Sequence, residues 1–145
     1  MDKLVKLLPI HIPHYWDQIK FAVGQVTNIS EEDKQKNYNL LLNNLLSERA
    51  TCYLRIGENR ILNGVFILRV NKHEITGDKT LVIDCMYSFK RLGDEEYVVI
   101  FSDFEELARK LKCQHITAWT DVPRIYELCN IVGMNEQCRL FTKHI

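Results

Sequence analysis

The chain has 145 residues, 46% of them hydrophobic, which suits one domain with a substantial core and is cramped for two. Lys plus Arg equals Asp plus Glu, 19 of each, so no overall field draws the chain to nucleic acid, and no basic run interleaved with aromatics supplies a local patch. The cysteines, Cys52, Cys85, Cys113, Cys129 and Cys138, are odd in number and lack Cys-x-x-Cys spacing. That pattern suggests neither a disulfide framework nor a zinc site and makes a reducing cytoplasm the simplest home. The apolar stretch broken at Pro9 is too brief for a signal peptide or a membrane span, so residues 1–145 read as a single domain.

In chain order, the apolar residues of Lys3 to Ile10 predict a first strand that Pro9 stops. Pro13 suits a first helical position, and Trp16, Ile19, Val23 and Val26 recur at helical spacing, so a helix is expected from Pro13 to Val26. Ser30 with Glu31, Glu32 and Asp33 marks the start of a second helix, whose apolar face runs through Tyr38, Leu41, Leu42, Leu45 and Leu46. The period then becomes alternating. Thr51 to Ile56, Ile61 to Val70 and Thr80 to Tyr87 predict three consecutive antiparallel strands joined at Gly57 to Asn59 and at Gly77-Asp78. From Asp94 the pattern is helical again, with Tyr97, Val98, Phe101, Phe104, Leu107, Ala108 and Leu111 on one wide stripe. His115 to Thr120 is a short strand, Asp121 and Pro123 open a helix that Gly133 ends, and Arg139 to Lys143 is expected as a closing strand.

Several chemistries find no support. His11, His14 and Asp17 have a spacing open to metal ligation, but no further protein ligand accompanies them. No glycine run has the Walker form, and no nucleophile sits in a recognisable elbow.

The order β-α-α-β-β-β-α-β-α-β resembles that of the GNAT acetyltransferase superfamily over essentially the whole chain. The resemblance implies an α/β domain in three layers, a mixed, mostly antiparallel sheet flanked by helices. In that family the loop before the central helix holds the acetyl-CoA pyrophosphate on backbone N–H groups, as Gln/Arg-x-x-Gly-x-Gly/Ala. The matching stretch here is Phe89-Lys90-Arg91-Leu92-Gly93-Asp94-Glu95. Gly93 falls on a family glycine, Lys90 stands where Gln or Arg belongs, and Glu95 replaces the last small residue. Asp94, Glu95 and Glu96 put like charge where a pyrophosphate would lie, or stabilise the first turn of a surface helix.

The family also shows a helix ending in Tyr-x-x-x-Gly-Phe, here Cys129-Asn130-Ile131-Val132-Gly133-Met134. Cys129 thus stands where a tyrosine often protonates the departing thiolate, and Tyr126 lies one turn earlier. Each has an ordinary packing role as its alternative. Asp84, the one acid within Leu81 to Tyr87, matches the family's carboxylate base. Alternation places it with Val82 and Met86, either half buried with a raised pKa or facing solvent.

A strand followed by a Pro-x-x-Trp helix, closing with a glycine-stopped helix and strand, further resembles the small GNAT-like proteins of tailed bacteriophages. Two functions follow as expectations. The first is a non-catalytic, cofactor-free module that binds a phage or host protein, virion-associated or host-directed. The second is an acetyl-CoA-dependent N-acetyltransferase acting on an amine of a protein or small molecule, with Asp84 as base, Tyr126 or Cys129 as acid, and Lys90, Arg91 and Gly93 at the cofactor. Neither expects nucleic acid or a membrane.

Overall fold

The computed structural model describes residues 2–120 and 122–145. Five strands, β1 (Lys3–Leu7), β2 (Thr51–Ile56), β3 (Leu62–Lys72), β4 (Lys79–Ser88) and β5 (His115–Ala118), lie side by side in sequence order. The first four pair antiparallel, and β5 joins β4 in parallel. A parallel neighbour needs a long crossover, and α3 (Asp94–Lys110) supplies it. The remaining helices are α1 (Ile12–Val26), α2 (Lys34–Leu46) and α4 (Pro123–Ile131), with single 3-10 turns at Pro9–His11 and Glu58–Arg60.

Alternation along the strands sorts side chains into two cores, one on each face of the sheet. Cys52 and Leu54 of β2 and Val65 and Ile67 of β3 face α1 and α2, where Ile12, Ile19, Ala22, Val23 and Leu45 meet them. Tyr53, Phe66 and Leu68 face the other way, against Ile100, Phe101, Phe104 and Ala108 of α3. Phe104 is fully buried, edge-on to Phe66 at 5.3 Å and to Phe101 at 5.7 Å between ring centroids. The stripes read from sequence run somewhat wide. Val26, Leu46, Val98 and Leu111 are exposed, because only the middle of each stripe reaches the sheet, while Ile12 and Ile100 are buried in their place.

Helix boundaries follow local chemistry. Ser30 Oγ accepts the N–H of Asp33 at 3.3 Å, but residues 31–33 form a turn and α2 begins at Lys34, later than expected. Gly133, at φ +81, ends α4. The N–H of Met134 bonds to Cys129 O at 2.8 Å and that of Gly133 to Asn130 O at 3.2 Å, the paired bonds of a Schellman stop. Asp121 lies outside the described residues. The closing strand Arg139–Lys143 does not form, and residues 134–145 carry no helix or strand. A strand exists only through a partner's hydrogen bonds, and here Leu140 and Phe141 are both exposed and the sheet ends at β5.

One ionic cluster ties the start of the chain to the start of α3. Arg55, the buried cation of β2, contacts Asp2 at 3.3 Å and Glu96 at 3.4 Å. Lys90 reaches both carboxylates at 3.6 Å, and Asn63 donates to Asp2 at 3.0 Å. Gly57 is required beside this cluster, since a Cβ there would meet Asn63 Nδ2 at 2.5 Å and Asp2 Oδ1 at 2.8 Å. The N–H of Gly93 bonded to its carboxylate, with Lys90 and Arg55 alongside, holds Glu96 below the usual range against a smaller cost of desolvation. Burial works against ionisation of Asp2, but the bond from Asn63 and the charges of Arg55 and Lys90 outweigh it and lower its pKa too.

Two stability measurements test this account. Phe104→Ala should lower unfolding free energy by about 3–5 kcal/mol in urea titration, whereas Lys110→Ala, which removes an exposed i,i+4 pair with Glu106, should change it by about 0.5 kcal/mol or less. Both lowered carboxylates stabilise the fold above their unfolded values and stop doing so as pH falls through the folded ones. Glu96→Gln should therefore be less stable than the parent above pH 4.5, the ordinary value for this group, and the difference should shrink on further acidification.

Candidate functional site

Strand β4 has two neighbours but follows them for different lengths. Its pairing with β5 runs from Thr80 opposite His115 to Ile83 opposite Ala118 and stops there. Its pairing with β3 continues to Ser88 opposite Gly64. Residues 84–88 therefore have a strand on one side only, because β5 itself ends at Ala118.

At the same point β4 carries an extra residue. Ile67 pairs with Cys85 and Leu68 with Ile83, so Asp84 has no partner across the ladder and forms a β-bulge. The bulge reverses the parity of everything after it. Leu81 and Ile83 face α3, Cys85 and Tyr87 face α1 and α2, and Met86 turns back toward α3. The expected grouping of Asp84 with Met86 is thus overturned. Asp84 instead shares with Cys85 a cavity of about 300 Å³ on the α1/α2 side, also lined by Val23, Ile67 and Arg69. Its side chain is 37% exposed, and Oδ2 accepts from Arg69 Nε at 2.8 Å, so neither a buried acid nor a free one describes it. Beside it Cys85 is buried, its thiol pushed up to about 12 by loss of solvent and by the charge of Asp84, which makes it an inert core group.

The loop after β4 leads into the first turn of α3. Phe89 N–H bonds to Asn63 O at 2.8 Å, and Ser88 Oγ donates to Lys90 O at 2.6 Å, which fixes how the chain leaves the sheet. Gly93 is the N-cap of α3, and a Cβ there would meet nothing within 4 Å, so the helix opens onto free space. Tyr97 is the first residue of α3 whose N–H bonds back, to Gly93 O at 3.2 Å. The N–H groups of Asp94, Glu95 and Glu96 find no acceptor among the described residues, as expected at a helix start. Glu96 meanwhile folds back so that Oε1 accepts the Gly93 N–H at 3.4 Å. Of the cations expected here, Lys90 is engaged with Asp2 and Glu96, whereas Arg91 is exposed with no ion pair among the described residues. Leu92 is buried against the α3-side core, which Tyr97 also touches.

The start of α4 stands close to the start of α3, because Arg124 bridges Asp94 and Glu127. Leu128 is the buried residue of α4. Cys129 is half-buried, and loss of solvent raises its thiol pKa, so it stays protonated at neutral pH. Tyr126 is half exposed on the flank of the helix, not packed as a core residue. Among the described residues no group of three or more His, Cys, Asp or Glu side chains is placed to hold a metal.

Sequence reasoning missed an aromatic cluster beside the unpaired half of β4. Phe21 of α1 stacks on Phe89 at 6.1 Å, and Tyr87 meets both edge-on at 5.9 and 5.1 Å. Phe21 is far in the chain from Tyr87 and Phe89, and only the bulge turns Tyr87 toward α1, so no local period reveals the cluster.

No protein-family model and no curated protein matches the chain. Solved structures do. It is similar to a ribosomal-protein-alanine N-acetyltransferase from Brucella melitensis, at 12% identity and TM-score 0.75 over 99% of each chain. A protein from Clostridium acetobutylicum described as a predicted acetyltransferase, solved with acetyl-CoA, is 10% identical with TM-score 0.76, over 99% of this chain and 96% of that one. An aminoglycoside acetyltransferase from an uncultured soil metagenomic sample is 13% identical with TM-score 0.72, over 100% and 99%. Identities this low bear on architecture alone, and on that ground the chain has the fold of the GNAT acetyltransferases.

Proposed function

We propose that the chain is an acyl-CoA-dependent N-acyltransferase, with acetyl-CoA as donor. The observation that carries this reading is an unpaired strand edge followed within a few residues by an open helix start. The unpaired edge of β4 beyond Ile83 offers backbone groups past the end of β5, and α3 opens from Gly93 into free space just after it. An extended amide-bearing arm can add to a strand edge by backbone hydrogen bonds, and a pyrophosphate suits the orphan N–H groups of a helix start. The residues present fit such a cofactor: Arg91 is a free cation at the phosphate end, and the space before Gly93 lets phosphate oxygens approach the backbone.

When bound, acetyl-CoA supplies an activated acyl carbon. The chain's own part is to place an amine against it and to move two protons. Asp84, at the bulge, keeps Oδ1 to accept the proton of the attacking amine while Oδ2 stays on Arg69. Cys129 or Tyr126 of α4 provides the proton for the departing thiolate. Glu96 must leave the Gly93 N–H for an anion to take its place, and Lys90 is then released from one of its two carboxylates.

A second reading rests on that same contact. With Glu96 already capping α3 and Arg124 joining Asp94 to α4, the helix start is occupied by protein groups. That arrangement favours a cofactor-free module that docks on another protein, in a phage particle, in its host or elsewhere in a cytoplasm.

Calorimetric titration with acetyl-CoA at low salt separates the two. The first reading expects saturable micromolar binding, abolished in Gly93→Glu, whose side chain has room to fold but opposes phosphate. It also expects Glu96→Gln to bind roughly three- to tenfold tighter, since one competing negative charge is gone. No heat at millimolar acetyl-CoA, in the parent and in Glu96→Gln alike, would sink the acyltransferase and leave the docking module.

A further inference from the structure

The cavity behind the bulge has a charge pattern of its own. Its apolar wall is Val23 of α1, Leu41 of α2 and Ile67 of β3, and its charged groups are Asp84, Arg69 and Arg49. Two guanidinium groups face one carboxylate, so the lining carries a net single positive charge. Arg69 spends only Nε on Asp84, at 2.8 Å, and its two Nη groups have no partner among the described residues. Asp84 keeps Oδ1 free in the same way. Arg49 is exposed, lies in the short link between α2 and β2, and makes no ion pair among the described residues.

The Asp84–Arg69 pair is thus half used on each side, with a vacant acceptor next to vacant donors. A ligand that completes both halves must carry an ammonium for Oδ1 and a carboxylate for the guanidinium edge, the paired geometry arginine suits best. Arg49 supplies the positive charge that makes the carboxylate obligatory rather than incidental. Val23, Leu41 and Ile67 call for an apolar body on the same molecule. At about 300 Å³ the space lies at the small end for ligand pockets and suits a single amino acid.

Resting on the acyltransferase reading for its role in the reaction, we propose that this cavity is the acceptor site and that its ligand is a free amino acid with an apolar side chain. Asp84 both lines the cavity and begins the unpaired edge of β4, which sets the ligand nitrogen beside that edge. In the reaction the bound ammonium gives one proton to Asp84, the neutral amine nitrogen bonds to the acyl carbon and the carbon–sulfur bond breaks; the sulfur takes a proton from Cys129 or Tyr126, and the second proton shed by the nitrogen passes through solvent to restore that group. The products are an N-acyl amino acid and free CoA. A peptide N-terminus, which presents an amide where the carboxylate would be, leaves both arginines unanswered.

The test uses the whole protein without cofactor, titrated calorimetrically with L-leucine, leucinamide, 3-methylbutylamine and 4-methylpentanoate. L-Leucine should bind at least about tenfold tighter than each of the three analogues, the worth of one charge-assisted contact. Arg49→Ala, at an exposed position with no ion pair among the described residues, should weaken L-leucine about tenfold and leave 3-methylbutylamine unchanged. Equal affinity for L-leucine and 3-methylbutylamine, or no saturation by L-leucine in the millimolar range, would overturn the assignment. Because no acetyl-CoA is present, the outcome is independent of the donor titration. L-Leucine selectivity without acetyl-CoA binding keeps the ligand class and fails the acyltransferase, and acetyl-CoA binding without L-leucine selectivity fails this inference alone.

Discussion

Strand β4 contains one residue more than β3 can pair, and that surplus governs the site. Because side chains alternate with a period of two, one inserted residue sends every later side chain of the strand to the opposite face. The insertion falls at Asp84, one step past the last residue that β5 covers. Two consequences follow from the same place. The edge of β4 facing β5 is unpaired from here on, and the carboxylate at the bulge is turned out of the ladder toward the α1/α2 side, where it lines the cavity. Cys85 and Tyr87, which a regular strand would aim at α3, instead complete the opposite core. A regular β4 would bring Cys85 opposite Leu68's face, mismatching the two cores that α1 and α3 have to fill.

The start of α3 is decided by charge. A helix start is attractive to anions through its orphan N–H groups, and α3 meets that attraction with a carboxylate of its own. Glu96 caps Gly93, and it is held in turn by Arg55 and Lys90, so the same cluster that anchors Asp2 also positions the cap. Exposed ion pairs contribute little singly, about 0 to 1 kcal/mol, so the cap is a contact that a bound polyphosphate can displace. Arg55 is different. It is buried, and its Nη1 has no hydrogen-bond partner among the described residues, so removing its anions would leave a desolvated cation. The cluster is therefore buried at its β2 end and half exposed at its α3 end.

The aromatic cluster and the charged cavity lie on the same face of the sheet, both against α1. Phe21, Tyr87 and Phe89 flank the open half of β4, and the Asp84–Arg69 pair sits at its root. The cavity is assembled from α1, α2, β3 and β4 together, with no single segment carrying a motif for it.

The sequence by itself determined what depends on near neighbours in the chain. The three-strand meander, the start of α3 at Asp94 and the stop at Gly133 were all legible, because period, caps and turns act over a few residues. The GNAT-type element order was legible for the same reason, up to the last strand. Only tertiary structure decided the rest. Whether Arg139–Lys143 is a strand depends on a partner strand that local propensity does not provide. Lys90 is engaged with Asp2, from the far end of the chain, so its availability to a phosphate cannot be read from its own loop. The face that Asp84 occupies depends on how β3 pairs with β4, since parity after a bulge is set by the ladder and not by the strand's own alternation.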